Sequence, residues 1–284
     1  MARILDGKAV AAEVRSEVAA DVAGLKDRGV LVRLDVVLVG DDLASATYVR
    51  MKQKDCEEVG IESRAHRFEA DTPQRELAAL VKRLNGDSAV SGFFIQLPLP
   101  EGLDPLSLLS EIDPAKDVDG LSPLSVGRLS IGLPSLLPCT PHGVVQLLRR
   151  SGVEIQGREA VVIGRSNLVG KPLAQLLLRE NATVTVCHSR TKNLPEVARR
   201  ADLLVVAAGR REFVDAEYVG EGAVVVDVGI HAREGGGLVG DVKFEEVEPV
   251  ASWISPVPGG VGPMTRAMLL YNTVEAARRR RGLS

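Results

Sequence analysis

The sequence predicts an α/β protein of two domains. Three observations carry this reading. The chain has 284 residues with 45% hydrophobic content, long for one core and short for three. Apolar β-branched runs alternate with helix-like segments throughout. The alternation then restarts in the second half, after the rigid connector Pro138-Cys139-Thr140-Pro141.

Taken in order, Val36–Val39 reads as a strand ending at Gly40-Asp41-Asp42. A helix is expected from about Ala44 to Val59 and a strand near Ser63–Phe68. Pro73–Leu84 is helical in pattern, with Pro73 suited to the first turn. Phe93-Phe94-Ile95 is a strand that stops at Gln96-Leu97-Pro98-Leu99-Pro100, because proline cannot donate to a central ladder. In the second half, Pro141–Arg150 reads as a helix. Strands follow at Ala160–Ile163, Thr183–Cys187, Leu203–Ala207 and Val224–Val228, with helices at Pro172–Glu180 and Glu196–Ala201. This is a doubly wound, Rossmann-like pattern. A last helix, about Met264 to Arg279, lies beyond the Pro/Gly-rich segment Pro256 to Pro263 and is expected to return to the first domain. The domains are therefore placed at 1–139 with 264–284, and at 140–263.

Composition excludes some classes of function. There are 35 basic against 38 acidic residues, a net charge of −3, which gives no electrostatic reason to bind nucleic acid or an anionic membrane surface. No apolar run reaches the length of a membrane span, and the N-terminus has no signal-like apolar stretch. Cys56, Cys139 and Cys187 are odd in number and widely spaced, suggesting neither disulfides nor a metal site. A reducing cytoplasm is the natural compartment.

The segment Val161-Val162-Ile163-Gly164-Arg165-Ser166-Asn167-Leu168-Val169-Gly170 is a strand, a glycine-framed turn and a helix start. Unpaired N–H groups at such a helix start, at the positive end of the helix dipole, bind phosphate. The motif is atypical: Ser166 stands where the usual fingerprint has a second glycine. An NAD site carries an acid at the end of the next strand, about 20 residues on. Here that strand ends Cys187-His188-Ser189-Arg190-Thr191, without one. Two guanidiniums, Arg165 and Arg190, and the Ser189 hydroxyl suit a 2′-phosphate, which argues for NADP. The alternative is that both arginines are solvated surface charges. His188 reads as a structural strand-end residue.

In the first half, Tyr48 and Lys52 stand at i and i+4 on one helix face, a common surface pair or a ring and an amine meeting a ligand. Gln96 stands at a strand C-terminal end, where open α/β sheets bind ligands. Lys116-Asp117-Val118-Asp119-Gly120 is an acidic turn, and two acids without a histidine do not make a metal site. Cys139 reads as packing.

The order of these motifs is more specific than any one of them. The chain resembles, from end to end, the bifunctional methylenetetrahydrofolate dehydrogenase/methenyltetrahydrofolate cyclohydrolase family. The resemblance rests on Tyr48-Val49-Arg50-Met51-Lys52, Gln96-Leu97-Pro98-Leu99-Pro100, Lys116-Asp117-Val118-Asp119-Gly120 and Pro138-Cys139-Thr140-Pro141. It continues with Gly164-Arg165-Ser166-Asn167-Leu168-Val169-Gly170-Lys171-Pro172 and Pro256-Val257-Pro258-Gly259-Gly260-Val261-Gly262-Pro263-Met264-Thr265. It implies a catalytic Lys52 with Gln96 as partner, and Asp119 holding the pterin. It implies folate contacts from Tyr48, Ser45, Pro258, Gly259 and Gly260, and NADP contacts from Gly164, Arg165, Ser166, Ser189, Arg190 and Ile230. It also implies oxidation of 5,10-methylenetetrahydrofolate with NADP, hydrolysis to 10-formyltetrahydrofolate, and a cytoplasmic homodimer serving one-carbon metabolism and purine biosynthesis. Both ligands are expected to share one cleft. The chain departs from the family pattern at Ser125, often Asn, and at Arg211, often Pro.

Three other readings stay open at this point. A monofunctional dehydrogenase would be expected to lose Lys52 or Gln96. A shikimate-type dehydrogenase would lack the Gln96 and Asp119 motifs. A non-catalytic NADP sensor would have a decayed first-domain site.

Overall fold

The computed structural model describes residues 1–233 and 235–283. The chain divides into two compact units. One, the Lys52 unit, comprises Glu13–Cys139 and Arg266–Ser284; the other, the Gly164 unit, comprises Met1–Ala12 and Thr140–Thr265.

The Lys52 unit is built on a parallel sheet in the order Glu62–Phe68, Arg33–Val39, Gly92–Ile95. Every residue of the central strand Arg33–Val39 is buried, as expected where both faces of a parallel sheet are covered. The helix Gln74–Gly86 turns Leu77, Leu80, Val81 and Leu84 inward at helical spacing. They pack with Val37, Val39, Phe93 and Ile95. Pro73 is the residue before this helix, extended at ψ 140, rather than part of its first turn. The helix Leu43–Val59 starts where the Asp42 carboxylate accepts the Ser45 N–H at 2.7 Å, a side-chain cap of the usual kind. It ends at Gly60, whose φ of 81° puts it in the left-handed region.

The long helix Gly7–Asp27 is absent from the sequence-based expectation. Its signal is nevertheless present: Val10, Val14, Val18 and Val22 recur every fourth residue and are all buried, with Leu25. From Arg266 onward the last helix, Val261–Arg280, contributes to the Lys52 unit. There Arg266 pairs with Asp55 at 2.9 Å. Asn272 Nδ2 donates to the Val118 and Leu137 carbonyls at 2.8 and 2.7 Å.

The Gly164 unit holds a six-stranded sheet in the order Arg3–Ile4, Trp253–Ile254, Val224–Asp227, Leu203–Val206, Glu159–Ile163, Thr183–Cys187. All its pairings are parallel. Glu159–Ile163 lies between the two strands that follow it in sequence, so the winding reverses there. This is the topological switch point at which such sheets bind ligands. Residues 1–12, expected in the first domain, belong to this unit because Arg3–Ile4 pairs with Trp253–Ile254. The core is aliphatic, with Val161, Ile163, Leu204, Val206, Val225 and Ile254 all buried. Among the described residues, no helix is long and apolar enough to cross a membrane.

Candidate active site

Lys52 projects from the helix Leu43–Val59. Its ammonium donates to Gln96 Oε1 at 3.1 Å and lies 4.0 Å from the centroid of the Phe94 ring. Gln96 directly follows the strand Gly92–Ile95, and its N–H extends the ladder to the Val37 carbonyl at 2.8 Å. The Gln96 Nε2 donates to the Leu97 carbonyl at 2.7 Å. That bond fixes the amide so that its oxygen faces the lysine. The peptide Leu97–Pro98, two residues beyond the strand, is cis.

The acidic turn acquires its shape residue by residue. Lys116 is 1% exposed, and its ammonium caps the end of the helix Gln74–Gly86, donating to the Leu84 and Asp87 carbonyls, both at 2.6 Å. Asp117 pairs in parallel with Phe93, and its carboxylate accepts the N–H groups of Gly120 and Ser122 at 3.0 and 2.8 Å. Gly120 has φ 69°, and a Cβ there would lie 2.6 Å from the Leu137–Pro138 backbone. Asp117 is thus consumed in closing the turn, and Asp119 is left for the site.

Burial governs the charges here. Loss of solvent lowers the pKa of Lys52, opposed by the Asp119 carboxylate. Burial raises Asp119, opposed by Lys52. Burial and Asp119 together hold the Cys139 thiol well above its usual range, and the thiol donates to the Val118 carbonyl at 3.3 Å. Cys139 therefore remains protonated and serves as packing. A lysine whose charged form is disfavoured, held by a neutral amide, is the kind of group that can take a proton.

Lys116 yields a stability prediction. Burial, reinforced by Arg280, pushes its pKa down to about 8. The folded protein therefore releases this proton before the unfolded chain does. Between about pH 8 and the ordinary lysine value near 10.4, the unfolded state binds more protons, so this residue makes stability rise with pH. Lys116→Met should abolish that rise. It should also cost about 1–3 kcal/mol at neutral pH, because two buried carbonyls lose their donor. Urea midpoints of both proteins across this window check the prediction.

Tyr48, one turn before Lys52, is 37% exposed and free to meet a ring. Ser45 is buried in the first turn of the same helix, its N–H held by Asp42. Ser125 is buried against Ser122, the two hydroxyls 3.0 Å apart, and Arg211 pairs with the adjacent Glu212 on the surface. Pro258, Gly259 and Gly260 lie in the Gly164 unit, in the turn before the last helix, where the Gly260 N–H donates to the Pro256 carbonyl at 2.8 Å.

In the Gly164 unit the two glycines of the fingerprint serve close packing. Gly164 has φ 130°, and a Cβ there would lie 2.1 Å from the Ala207 carbonyl oxygen; one on Gly170 would lie 2.1 Å from the Gly164 oxygen. The Ser166 hydroxyl accepts from the N–H groups of Val169 and Gly170 at 3.1 and 3.4 Å. This corrects the expectation of a helix start with all its donors unpaired: two are held by the serine that replaces the usual glycine. Arg165, Ser189 and Arg190 are exposed. Among the described residues, neither Arg165 nor Arg190 has a carboxylate partner. His188 closes the strand-end turn, its Nδ1 accepting the Arg190 N–H at 3.1 Å. Ile230 is 43% exposed.

Sequence reasoning did not single out Phe94, Asn272 or Asp241. Phe94 carries no signal of which strand face it occupies. Asn272 sits in a helix whose apolar pattern alone was read.

A doubly wound sheet with a glycine turn at its switch point, joined in one chain to a unit in which a lysine is bound to a glutamine at a strand end, defines a dinucleotide-type fold carrying a second α/β unit. Comparison with known proteins specifies the class. Residues 5–119 match the family model described as tetrahydrofolate dehydrogenase/cyclohydrolase, catalytic domain. Residues 138–281 match the NAD(P)-binding domain of the same family. The chain belongs to this family. It is 74% identical over 280 residues to the bifunctional protein FolD 1 of Rubrobacter xylanophilus, covering 99% of each chain. The crystal structure of the bifunctional FolD enzyme from Campylobacter jejuni superposes with a TM-score of 0.97 at 48% identity, over 99% of this chain and 100% of that one. The Trypanosoma brucei dehydrogenase-cyclohydrolase, solved with NADP and an inhibitor, gives a TM-score of 0.93 at 41% identity, over 99% and 98%.

Proposed function

We propose that this protein oxidises 5,10-methylenetetrahydrofolate to the 5,10-methenyl form with NADP, and hydrolyses that product to 10-formyltetrahydrofolate. The observation that carries the reading is the Lys52–Gln96 bond at 3.1 Å, in a cluster whose electrostatics Asp119 shares. The methenyl product is a cation, and water attacks its one-carbon bridge. Neutral Lys52 takes the first proton that this water must lose, and Gln96 holds the amine at the bridge. The bond from the bridge carbon to N5 then breaks as the carbonyl of the formyl group forms; N5 keeps the electron pair and takes up a proton, the hydroxyl loses its own, and one proton is released overall. The cation itself disfavours a second positive charge beside it, which adds to the effect of burial on Lys52. Asp119 accepts hydrogen bonds from the pterin, and the Tyr48 ring stacks on the folate, with Ser45 and the Pro258-Gly259-Gly260 turn as further substrate contacts.

NADP fits the residues present. The strand Thr183–Cys187 ends without an acid, and the free guanidiniums of Arg165 and Arg190, with the Ser189 hydroxyl, suit its 2′-phosphate. Gly164, Ser166 and Ile230 complete the contacts. When bound, NADP accepts the hydride of the one-carbon bridge; the chain supplies orientation. The homodimer is carried over from the resemblance alone, and three buried, unpaired cysteines support a reducing cytoplasm. The 10-formyl product is a one-carbon donor of the kind purine biosynthesis consumes.

Cofactor choice tests the arginines. Charge-assisted hydrogen bonds contribute about 1.5–3 kcal/mol each, so NADP should be preferred over NAD by roughly tenfold or more in kcat/KM. Arg165→Ala with Arg190→Ala should erode that ratio toward one. Equal efficiency with both cofactors in the unmodified protein would contradict the assignment.

A further inference from the structure

Asp241 is fully buried at the C-terminal end of the doubly wound sheet. Its Oδ2 accepts the N–H groups of Ala208 and Gly209 at 2.6 and 2.9 Å, and its Oδ1 accepts that of Arg210 at 2.9 Å. Three successive amides of one loop thus converge on one carboxylate. Oδ1 also lies 2.7 Å from His231 Nε2. The backbone around Asp241 is held as firmly. Its N–H and that of Val242 donate to Asp227, each at 2.9 Å, and its carbonyl accepts from Phe213 and Val214. No space is left for slack: a Cβ on Gly229 would lie 2.4 Å from Asp241 Oδ1, and one on Gly240 would lie 1.8 Å from Asp227 Oδ2.

The loop so held follows the strand Leu203–Val206, which pairs with Glu159–Ile163. It is therefore the wall of the switch-point crevice facing the Gly164 turn, and Gly164 touches it, since a Cβ there would meet the Ala207 oxygen. His231, the other partner of the carboxylate, follows Ile230 at the end of the short connection after the neighbouring strand Val224–Asp227 and opens the two-residue strand His231–Ala232, which pairs with Leu238–Val239. One carboxylate ties together the loops that leave two adjacent strands at the cofactor end.

We propose that Asp241 is a positioning residue for NADP. It does not touch the cofactor; it fixes loop 207–211 and, through His231, the backbone carrying Ile230, so that both present a preformed wall to the dinucleotide. An asparagine cannot replace it, because an amide would turn N–H donors toward N–H donors. The inference rests on the NADP reading above, and concerns only the Gly164 unit, whereas hydrolysis of preformed methenyltetrahydrofolate calls on Lys52.

The test is Asp241→Asn in the full chain, read by calorimetric titration with NADP and by both activities. Loss of charge-assisted bonds predicts binding weaker by about tenfold or more, with KM for NADP rising in step. Hydrolysis of added methenyltetrahydrofolate should stay near that of the unmodified protein, and a cooperative folding transition should persist, with its midpoint lowered because buried N–H groups lose an acceptor. A milder pair covers the case in which this variant folds poorly. His231→Leu should weaken NADP binding, and His231→Gln, whose amide still donates to Asp241, should largely retain it. Unchanged NADP affinity in Asp241→Asn, or parallel loss of hydrolysis and of the folding transition, would overturn the proposal; equal affinity in the two His231 variants would do the same. Failure of the unmodified protein to oxidise methylenetetrahydrofolate would instead refute the assigned reaction, and the titrations would still decide the role of Asp241.

Discussion

Replacing Lys52 by Met should abolish conversion of methenyl- to 10-formyltetrahydrofolate while leaving some NADP-dependent oxidation. Methionine keeps the length and apolar stem of lysine and removes the amine. The hydrolytic step needs a group that takes a proton from water, and such general-base contributions are typically about 10²–10⁴-fold. The hydride step needs only that folate and cofactor be held in register, so it should fall less. The structure sharpens this expectation, because Lys52 is bound to a neutral amide and rests on the Phe94 ring. The sign of the pH dependence follows from the lowered pKa of Lys52. Hydrolysis should rise with pH as the amine loses its proton, and level off below the ordinary lysine value near 10.4. The residual rate of the Met variant should lack that limb. Equal losses in both activities would make Lys52 a binding residue.

The opposite selectivity is expected of Gly170→Ala. A Cβ at this position would lie 2.1 Å from the Gly164 oxygen and 2.9 Å from the Arg165 nitrogen. These are backbone atoms with no free rotation to escape along, so the turn itself must move. In the proposed NADP site the displaced atoms are those that approach the cofactor, and misplacement by about 1 Å can cost about 10²-fold. Oxidation should therefore fall by about two orders of magnitude or more, with KM for NADP raised. Hydrolysis of supplied methenyltetrahydrofolate, proposed above to use Lys52, Gln96 and Asp119, should persist. Parallel assays of the two reactions on the purified variant decide this, and an unchanged KM for NADP would contradict it.

These residues differ in how legible they were in the sequence. Gln96 was legible because Pro98 ends its strand, and that end is where such sheets bind ligands. Gly164 and Gly170 were legible as a turn; that both also serve close backbone packing, and that Ser166 occupies two donors expected to be free, was not. Lys52 and Tyr48 were legible only as a helix pair, and the motif order raised them above that. Lys116 resembles a surface lysine in an acidic turn. Its partners, Leu84 and Asp87, lie 32 and 29 residues earlier, and no local pattern links them. Asp241 was invisible for the same reason, since the amides it holds precede it by 31 to 33 residues. The strands Arg3–Ile4 and Trp253–Ile254 have two residues each, too few to show a period. The helix Gly7–Asp27 is a different case, because its valine stripe could have been read.

The most direct test of the account follows the methenyl intermediate by its absorbance with the purified, unmodified protein. Given 5,10-methylenetetrahydrofolate and NADP, the account predicts NADPH formation with passage of the folate through the methenyl form to 10-formyltetrahydrofolate. Given methenyltetrahydrofolate alone, it predicts hydrolysis faster than in buffer. Absence of NADPH formation in the first experiment, or hydrolysis no faster than the uncatalysed rate in the second, would contradict it.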